Sequence, residues 1–379
     1  MHSQHIISPN RYHTCLTPTP SPSTQVLRKA LDSSGHRDTK IIAGDVHSWA
    51  PAAAMLTDKA LADSVAILAR HYPGSHNDAD SQRVFETHGT PLWSSEDFAS
   101  NNNDGSGGRC EARILNQNWV RGNISATISW NLISSYYEYL AWPYAGLMRA
   151  NTPWSGHYSI DPPIYACAHT TAFTSPGWGI FPTGAGSGLL DKGGSYVGYL
   201  SPNRSEFTLV IEKVRPQLSM CRFEATPGYN VANESATFIV PPSVRGRPLY
   251  LWRSNFQSQA FMVGGEAVAV TSNGTVRVMV AVDDLITLST LSWEGPPRLP
   301  PAPPPSAFPS TVSESFEEYE VGQEPVLFAQ MSGAFEVVQG GQGMGTRMGK
   351  RMGKVLRQSA VGPPVNWLRA NIAPSTQVW

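Results

Sequence analysis

The sequence predicts a multidomain chain, α/β first and all-β after it, and three observations carry that prediction. From residue 26 to about residue 173, short apolar runs ending in polar residues alternate with helix-like stretches, the pattern of a parallel sheet. From residue 174 to 292 the segments become short, β-rich and punctuated by turn residues, as in an antiparallel sandwich. Between the sandwich and a Gly-rich tail lies a proline run, Pro296 to Pro305, within a stretch of 293–310 that reads as a stiff linker.

Taken in order, residues 1–25 are polar and rich in Pro, Thr and Ser, and read as a disordered N-terminus. Val26 to Ser33 has the spacing of a short helix. Lys40 to Asp45 reads as a buried strand ending in an acid, and about Thr57 to Ser64 as a second helix. Val65 to Ala69 is a strand that leads into the turn His71-Tyr72-Pro73-Gly74. Pro91-Leu92-Trp93 is the next apolar run. Residues 111–140 look helical and aromatic, and Tyr144 to Met148 is one more candidate strand. In the β-rich part, strands are expected over 195–199, 207–211, 236–240, 249–252, 276–280 and 285–291. Residues 311–379 hold a near-repeat from Met344 to Lys354, too short and Gly-rich to bury a core, and are expected to be largely disordered.

Composition narrows the function classes. Apolar residues make up 41% of the chain and charged residues 15%, which supports a sizeable core. A net charge of −1 argues against nucleic acid as a partner, and no apolar run is long enough for a transmembrane segment. Asn123, Asn203, Asn233 and Asn273 each open an Asn-x-Ser/Thr glycosylation triplet, which points to a secretory route. Met1 to His5 lack the basic and apolar regions of a signal peptide, so the expectation is that the true beginning is absent. Cys15, Cys110, Cys167 and Cys221 allow three full pairings, and spacing does not choose among them. No zinc-type Cys/His spacing occurs.

One acid stands out. Glu96 follows the run Leu92-Trp93 and opens a loop of Ser, Asn, Asp and Gly. Barrel enzymes collect their reactive groups at the carboxyl ends of strands. A glutamate placed there can attack an anomeric carbon. On spacing alone, the plainer interpretation is a surface Glu after a strand.

Several motifs together are more specific. Leu92 to Phe98, Ile114 to Asn118, Ser129 to Leu132, Pro153 to Tyr158, Ala168 to Thr171, Pro176 to Trp178 and Lys192 to Val197 resemble the galactocerebrosidase family of glycoside hydrolases, in order, over about residues 26–330. The resemblance implies the C-terminal half of a TIM (β/α)8 barrel, a β-sandwich and a truncated lectin-like segment. It implies a lysosomal, retaining β-galactosidase that hydrolyses galactosylceramide and related β-galactolipids, needs no cofactor, and is helped by a saposin-type lipid-presenting protein. Glu96 would be the nucleophile. Trp130 and Trp142 would lie near the sugar, with core packing the alternative for each, and Arg222 would bind it, although one residue fewer than expected separates it from Cys221. A disulfide Cys110–Cys221 is implied as well.

The departures set a further expectation. The family's acid/base Glu follows an Asn, and no Asn-Glu precedes Glu96 here. Asp32, Asp38 and Asp45 are the upstream acids in a plausible region, and none matches the family's position. The first four barrel strands also lack a counterpart. The expectation is therefore a chain without hydrolase activity of its own. The alternatives are a non-catalytic carbohydrate- or lipid-binding remnant using Trp130, Trp142 and Arg222, or a fragment that does not fold.

Overall fold

The computed structural model describes residues 22–74, 89–97, 104–134, 146–221, 228–295, 300–326, 328, 334–340 and 353–359. The chain divides into two compact units. One holds residues 1–100, 104–130 and 162–294; the other holds 101–103, 131–161 and 295–379.

The first unit begins with helix α1 (Pro22–Ser33) and the short strand β1 (Ile42–Ala43). Helices α2 (Ala50–Met55) and α3 (Lys59–Ala62) follow, the latter capped by Asp58, whose carboxylate accepts from the Leu61 N–H. Then come β2 (Ile67–His71), β3 (Leu92–Asp97), helix α4 (Gly105–Gly122) and β4 (Ile124–Ser129). The four strands are parallel and pair in the order β1-β2-β3-β4. Leu68, Leu92 and Ile124, one each from β2, β3 and β4, pack with Trp49, Ala52 and Ala53 into a single apolar cluster. Parallel strands carry apolar side chains toward their covering helices and polar residues at their ends, which matches the expected alternation.

Two boundaries differ from expectation. Residues 124–129, read as a continuation of a helix, form strand β4. The helix stops because Asn123 adopts a left-handed conformation (φ 53°) and returns its N–H to Asn118 and Trp119. The β-branched Ile124, Thr127 and Ile128 then suit an extended chain. The helix expected near 57–64 is shorter, α3 alone, and α2 before it was not expected.

Helix α5 (Pro162–Thr171) leads into the sandwich. Its large sheet runs β14 (Ala260–Val268), β13 (Leu249–Asn255), β16 (Asp284–Ser289), β11 (Phe207–Glu212), β10 (Ser195–Leu200) and β8 (Gly179–Ile180), with β9 (Gly188–Leu189) also on β10. A two-stranded sheet, β12 (Glu234–Ile239) with β15 (Thr275–Val280), lies against it. Leu209, Ile211, Leu249, Ile286 and Leu288 of the first meet Ala236, Val276 and Val278 of the second in the main core. Strand β14 was not anticipated. Its Gly264-Gly265 pair resembles a turn but lies inside the strand at φ 130° and 101°, next to a register shift against β13.

Helix α4 joins the parallel sheet to the sandwich, and it does so with polar side chains. Asn116 Nδ2 donates to the Val210 carbonyl (3.1 Å), Gln117 Nε2 to Glu212 (2.8 Å), and Trp119 Nε1 to the Phe181 carbonyl (2.8 Å). Arg109 reaches Asp283 at 3.0 Å. The implied disulfide is present: Cys110 on α4 is bonded to Cys221. Of the remaining cysteines, Cys167 is free and Cys15 falls outside the described residues.

In the second unit, β5 (Ile133–Ser134), β6 (Met148–Arg149) and β7 (Ser159–Ile160) make a small sheet, fastened by a two-pronged Arg149–Asp161 bridge (2.9 and 2.8 Å). The described part of the proline stretch expected to be a bare linker, from residue 300, is docked here. Trp154 Nε1 donates to the Ser306 carbonyl (2.9 Å), His157 Nδ1 lies 2.7 Å from the Pro303 carbonyl, and the Trp154 and Phe308 rings meet edge-on. The tail expected to be largely disordered contains an antiparallel pair, β17 (Phe335–Gln339) with β18 (Lys354–Gln358). No helix among the described residues is long and apolar enough to cross a membrane.

Candidate active site at the carboxyl ends of the parallel strands

Each parallel strand delivers polar residues at its carboxyl end. After β1 come Asp45 and His47, at the end of β2 His71 and Tyr72, near the end of β3 Glu96, and directly after β4 Trp130. In a parallel sheet all these ends emerge on one side, so residues far apart in sequence converge there.

Glu96 is the centre of the group. Its side chain is 28% exposed, so it is reachable from solvent. One carboxylate oxygen accepts the Tyr72 hydroxyl, and the other lies 3.7 Å from His71 Nδ1. The pairing follows from register, because His71 stands opposite Glu96 between β2 and β3. Tyr72 is also tied through its backbone, its N–H donating to the Glu96 carbonyl (2.8 Å). It sits at φ 46°, a conformation that costs a bulky residue energy and that surrounding contacts must enforce.

His71 is held from the far side. Its Nε2 lies 2.7 Å from Asp45 Oδ1, which also accepts the Ser95 hydroxyl at 2.6 Å. A carboxylate only accepts, so Nε2 carries a proton. Its other nitrogen, Nδ1, faces Glu96. His47 packs on both neighbours, its ring centroid 5.2 Å from those of His71 and Tyr72. Burial and then the nearby His71 lower its pKa, while Glu96 pulls the other way.

Trp130 is half-buried, and its backbone N–H donates to the Asp97 carbonyl (2.8 Å), which sets it beside Glu96 on the neighbouring strand. The structure thus brings Glu96 and Trp130 together. Trp142 and Arg222 lie outside the described residues. Asp45, weighed as an upstream acid, serves His71 and Ser95. Tyr72, His71 and His47 were not singled out in the sequence. Their signal was positional: a polar residue at the carboxyl end of every consecutive strand. Among the described residues no group of three or more His, Cys, Asp or Glu could hold a metal.

The model for glycosyl hydrolase family 59 matches residues 18–172, and that for its central domain matches residues 183–294. The chain belongs to the galactocerebrosidase family. It is 39% identical over 318 residues to the galactocerebrosidase of Macaca mulatta, covering 82% of this chain and 45% of that protein. With that of Mus musculus it shares 37% over 349 residues, covering 90% and 48%. The chain therefore spans about half the length of these galactocerebrosidases. Among solved structures, a GH30 endoxylanase from Clostridium papyrosolvens superposes with a TM-score of 0.50 at 17% identity, covering 72% of this chain and 60% of that one. That likeness speaks for the fold, a barrel-type α/β domain with accompanying β-sheets.

Of the glycosylation triplets, Asn203, Asn233 and Asn273 are exposed, whereas Asn123 is the half-buried cap of α4.

Proposed function

We propose that this chain carries the C-terminal half of a TIM-barrel active site together with its sandwich, and that the site is that of a retaining β-galactosidase acting on galactosylceramide. The observation that carries the proposal is Glu96: a solvent-reachable carboxylate at the end of a parallel strand, oriented by Tyr72 and His71 and flanked by Trp130. The names of its relatives supply the substrate. In this reading Glu96 attacks C1 of galactose and forms a glycosyl-enzyme, and the leaving alcohol takes a proton from a second carboxyl group. Trp130 offers an aromatic face to the apolar side of the sugar. Arg222, Trp142, lysosomal residence, glycosylation and a saposin-type helper belong to the same proposal.

Retention requires the second carboxyl group about 5–5.5 Å from the first. Asp45 is taken up by His71 and Ser95, and no Asn-Glu precedes Glu96 in these 379 residues. We therefore expect negligible turnover of galactosylceramide from this chain alone, with the first, bond-forming step still open to substrates that need no protonated leaving group.

A 2-deoxy-2-fluorogalactosyl donor with a good leaving group tests this directly. The expected result is a covalent adduct on the peptide containing Glu96, absent from Glu96→Gln. Rapid turnover of galactosylceramide by the chain alone would contradict the expected inactivity. Reversible galactose binding with no adduct would favour the non-catalytic binding module instead.

A further inference from the structure

A second carboxylic acid lies beneath the site, and nothing in the glycosidase chemistry uses it. Glu111 on α4 is fully buried. One of its oxygens accepts the hydroxyl of Ser129 on β4 and faces the thiol of Cys167 on α5 at 3.4 Å. Its other oxygen, equally buried, has no hydrogen-bond partner. The neighbouring charge is another acid, Asp97 on β3, which accepts from Ser94 (2.9 Å) and Asn118 (3.0 Å). The cations on the same helix are turned elsewhere, Arg109 to Asp283, Arg113 to Ser219 and Cys221, and Arg121 to the Tyr229 ring.

An ionised carboxylate with one bare oxygen, shut off from water and beside a like charge, is strongly disfavoured. Bearing a proton, the same group fits. Its place in the sheet gives this a consequence. Asp97 and Ser129 are the last paired residues of β3 and β4, and they directly adjoin Glu96 and Trp130. Helix α4 grips both, Asp97 through Asn118 and Ser129 through Glu111.

We propose that Glu111 is a proton-bearing fastener that holds the carboxyl ends of β3 and β4 in place under acid conditions and loosens them as the pH rises. The groups that face it are Asp97 from β3, Ser129 from β4 and Cys167 from α5. Burial lifts the Glu111 carboxyl to about 7, and the Asp97 charge adds to this, against the hydrogen bonds from Ser129 and Cys167. The folded state therefore holds a proton that the unfolded chain releases near 4.5. Stability from this source is complete below the unfolded value and is lost as pH rises through the folded one. As a fastener the group stands on its own. As a positioning residue for Glu96 and Trp130 it rests on the glycosidase proposal.

The test is thermal unfolding of the whole chain between about pH 4.5 and about pH 8, for the wild type and for Glu111→Gln, which keeps the shape and removes the titration. The wild-type melting temperature should fall by about 5–10 °C across that window relative to Glu111→Gln. Parallel profiles for the two proteins would overturn the proposal. If the variant does not fold, the wild type decides alone. A slowly exchanging carboxylic-acid band in its infrared spectrum, present at about pH 5 and gone by about pH 8, supports the proposal, and its absence in acid refutes it. Labelling by the fluorogalactosyl donor separates the two ideas. No labelling at any pH removes the glycosidase reading and leaves the melting profiles to judge Glu111. Labelling combined with parallel profiles removes the fastener alone.

Discussion

The parallel sheet and the sandwich treat buried charge in opposite ways. In the sandwich, acids meet cations, apart from Glu212, which Ser195 and Gln117 hold. Asp283 is gripped by Arg109 and Arg215, Glu234 by Lys213, and Asp284 by Arg253. In the parallel sheet the acids are held by hydroxyls, amides and imidazoles: Glu96 by Tyr72 and His71, Asp45 by Ser95 and His71, Glu111 by Ser129. Charges fixed by opposite charges build architecture. Charges held by neutral or titratable groups remain available for proton and bond chemistry.

The strongest way to break that contrast is Asp283→Ala. Burial works against the Asp283 charge, but hydrogen bonds from Arg109 and Arg215 outweigh it and keep its pKa low. Removing it leaves Arg109 buried and unpaired, at an expected cost of about 3–5 kcal/mol in denaturant unfolding. In the wild type this contribution is present above the ordinary carboxylate range and disappears as pH falls through the lowered value. A cost below about 1 kcal/mol would mean that the triad is not structural.

Cys110→Ser comes next. The disulfide spans a sequence separation of 111, and it joins the helix that links both regions to the segment after β11. Its loss should cost about 2–5 kcal/mol by the same measurement. An unchanged midpoint would show that the polar contacts of α4 suffice.

His169 sharpens the comparison through pH. It lies buried on α5 between Thr287 and Ser254 of the sandwich, and burial lowers its pKa to about 3. The unfolded chain takes up a proton below about 6.5 that the folded chain refuses, so stability falls on acidification. At about pH 5 the loss is about 2 kcal/mol, and His169→Gln should flatten it in pH-dependent unfolding. Its sign is opposite to that of Glu111, whose carboxyl is raised.

Glu96→Gln should have the smallest effect on stability, within about 1 kcal/mol by thermal unfolding, because its side chain is partly exposed and no cation depends on it. A large loss would recast Glu96 as a structural residue.

Part of the candidate site was legible in the sequence, and its limits have physical causes. Glu96 could be found because an apolar run followed by a polar loop marks a strand end. Tyr72 and His71 could not be assigned, because what matters about them is the register that sets His71 opposite Glu96. Strand β4 was hidden because Asn123 ends α4 through one backbone torsion, and β14 because Gly264-Gly265 imitates a turn.

The sequence by itself determined the alternating and then β-rich order of most segments, and that a carboxylate would stand near the end of a parallel strand. Those outcomes follow from side-chain periodicity and backbone preference, which act over a few residues. Only the tertiary structure decided the company each acid keeps. Arg109, 174 residues from Asp283, neutralises one carboxylate, while Glu111 is left with a hydroxyl, a thiol and an empty side. Electrostatic environment depends on distance in space and on exclusion of water, and the chain acquires both only when its sheets and helices close on one another.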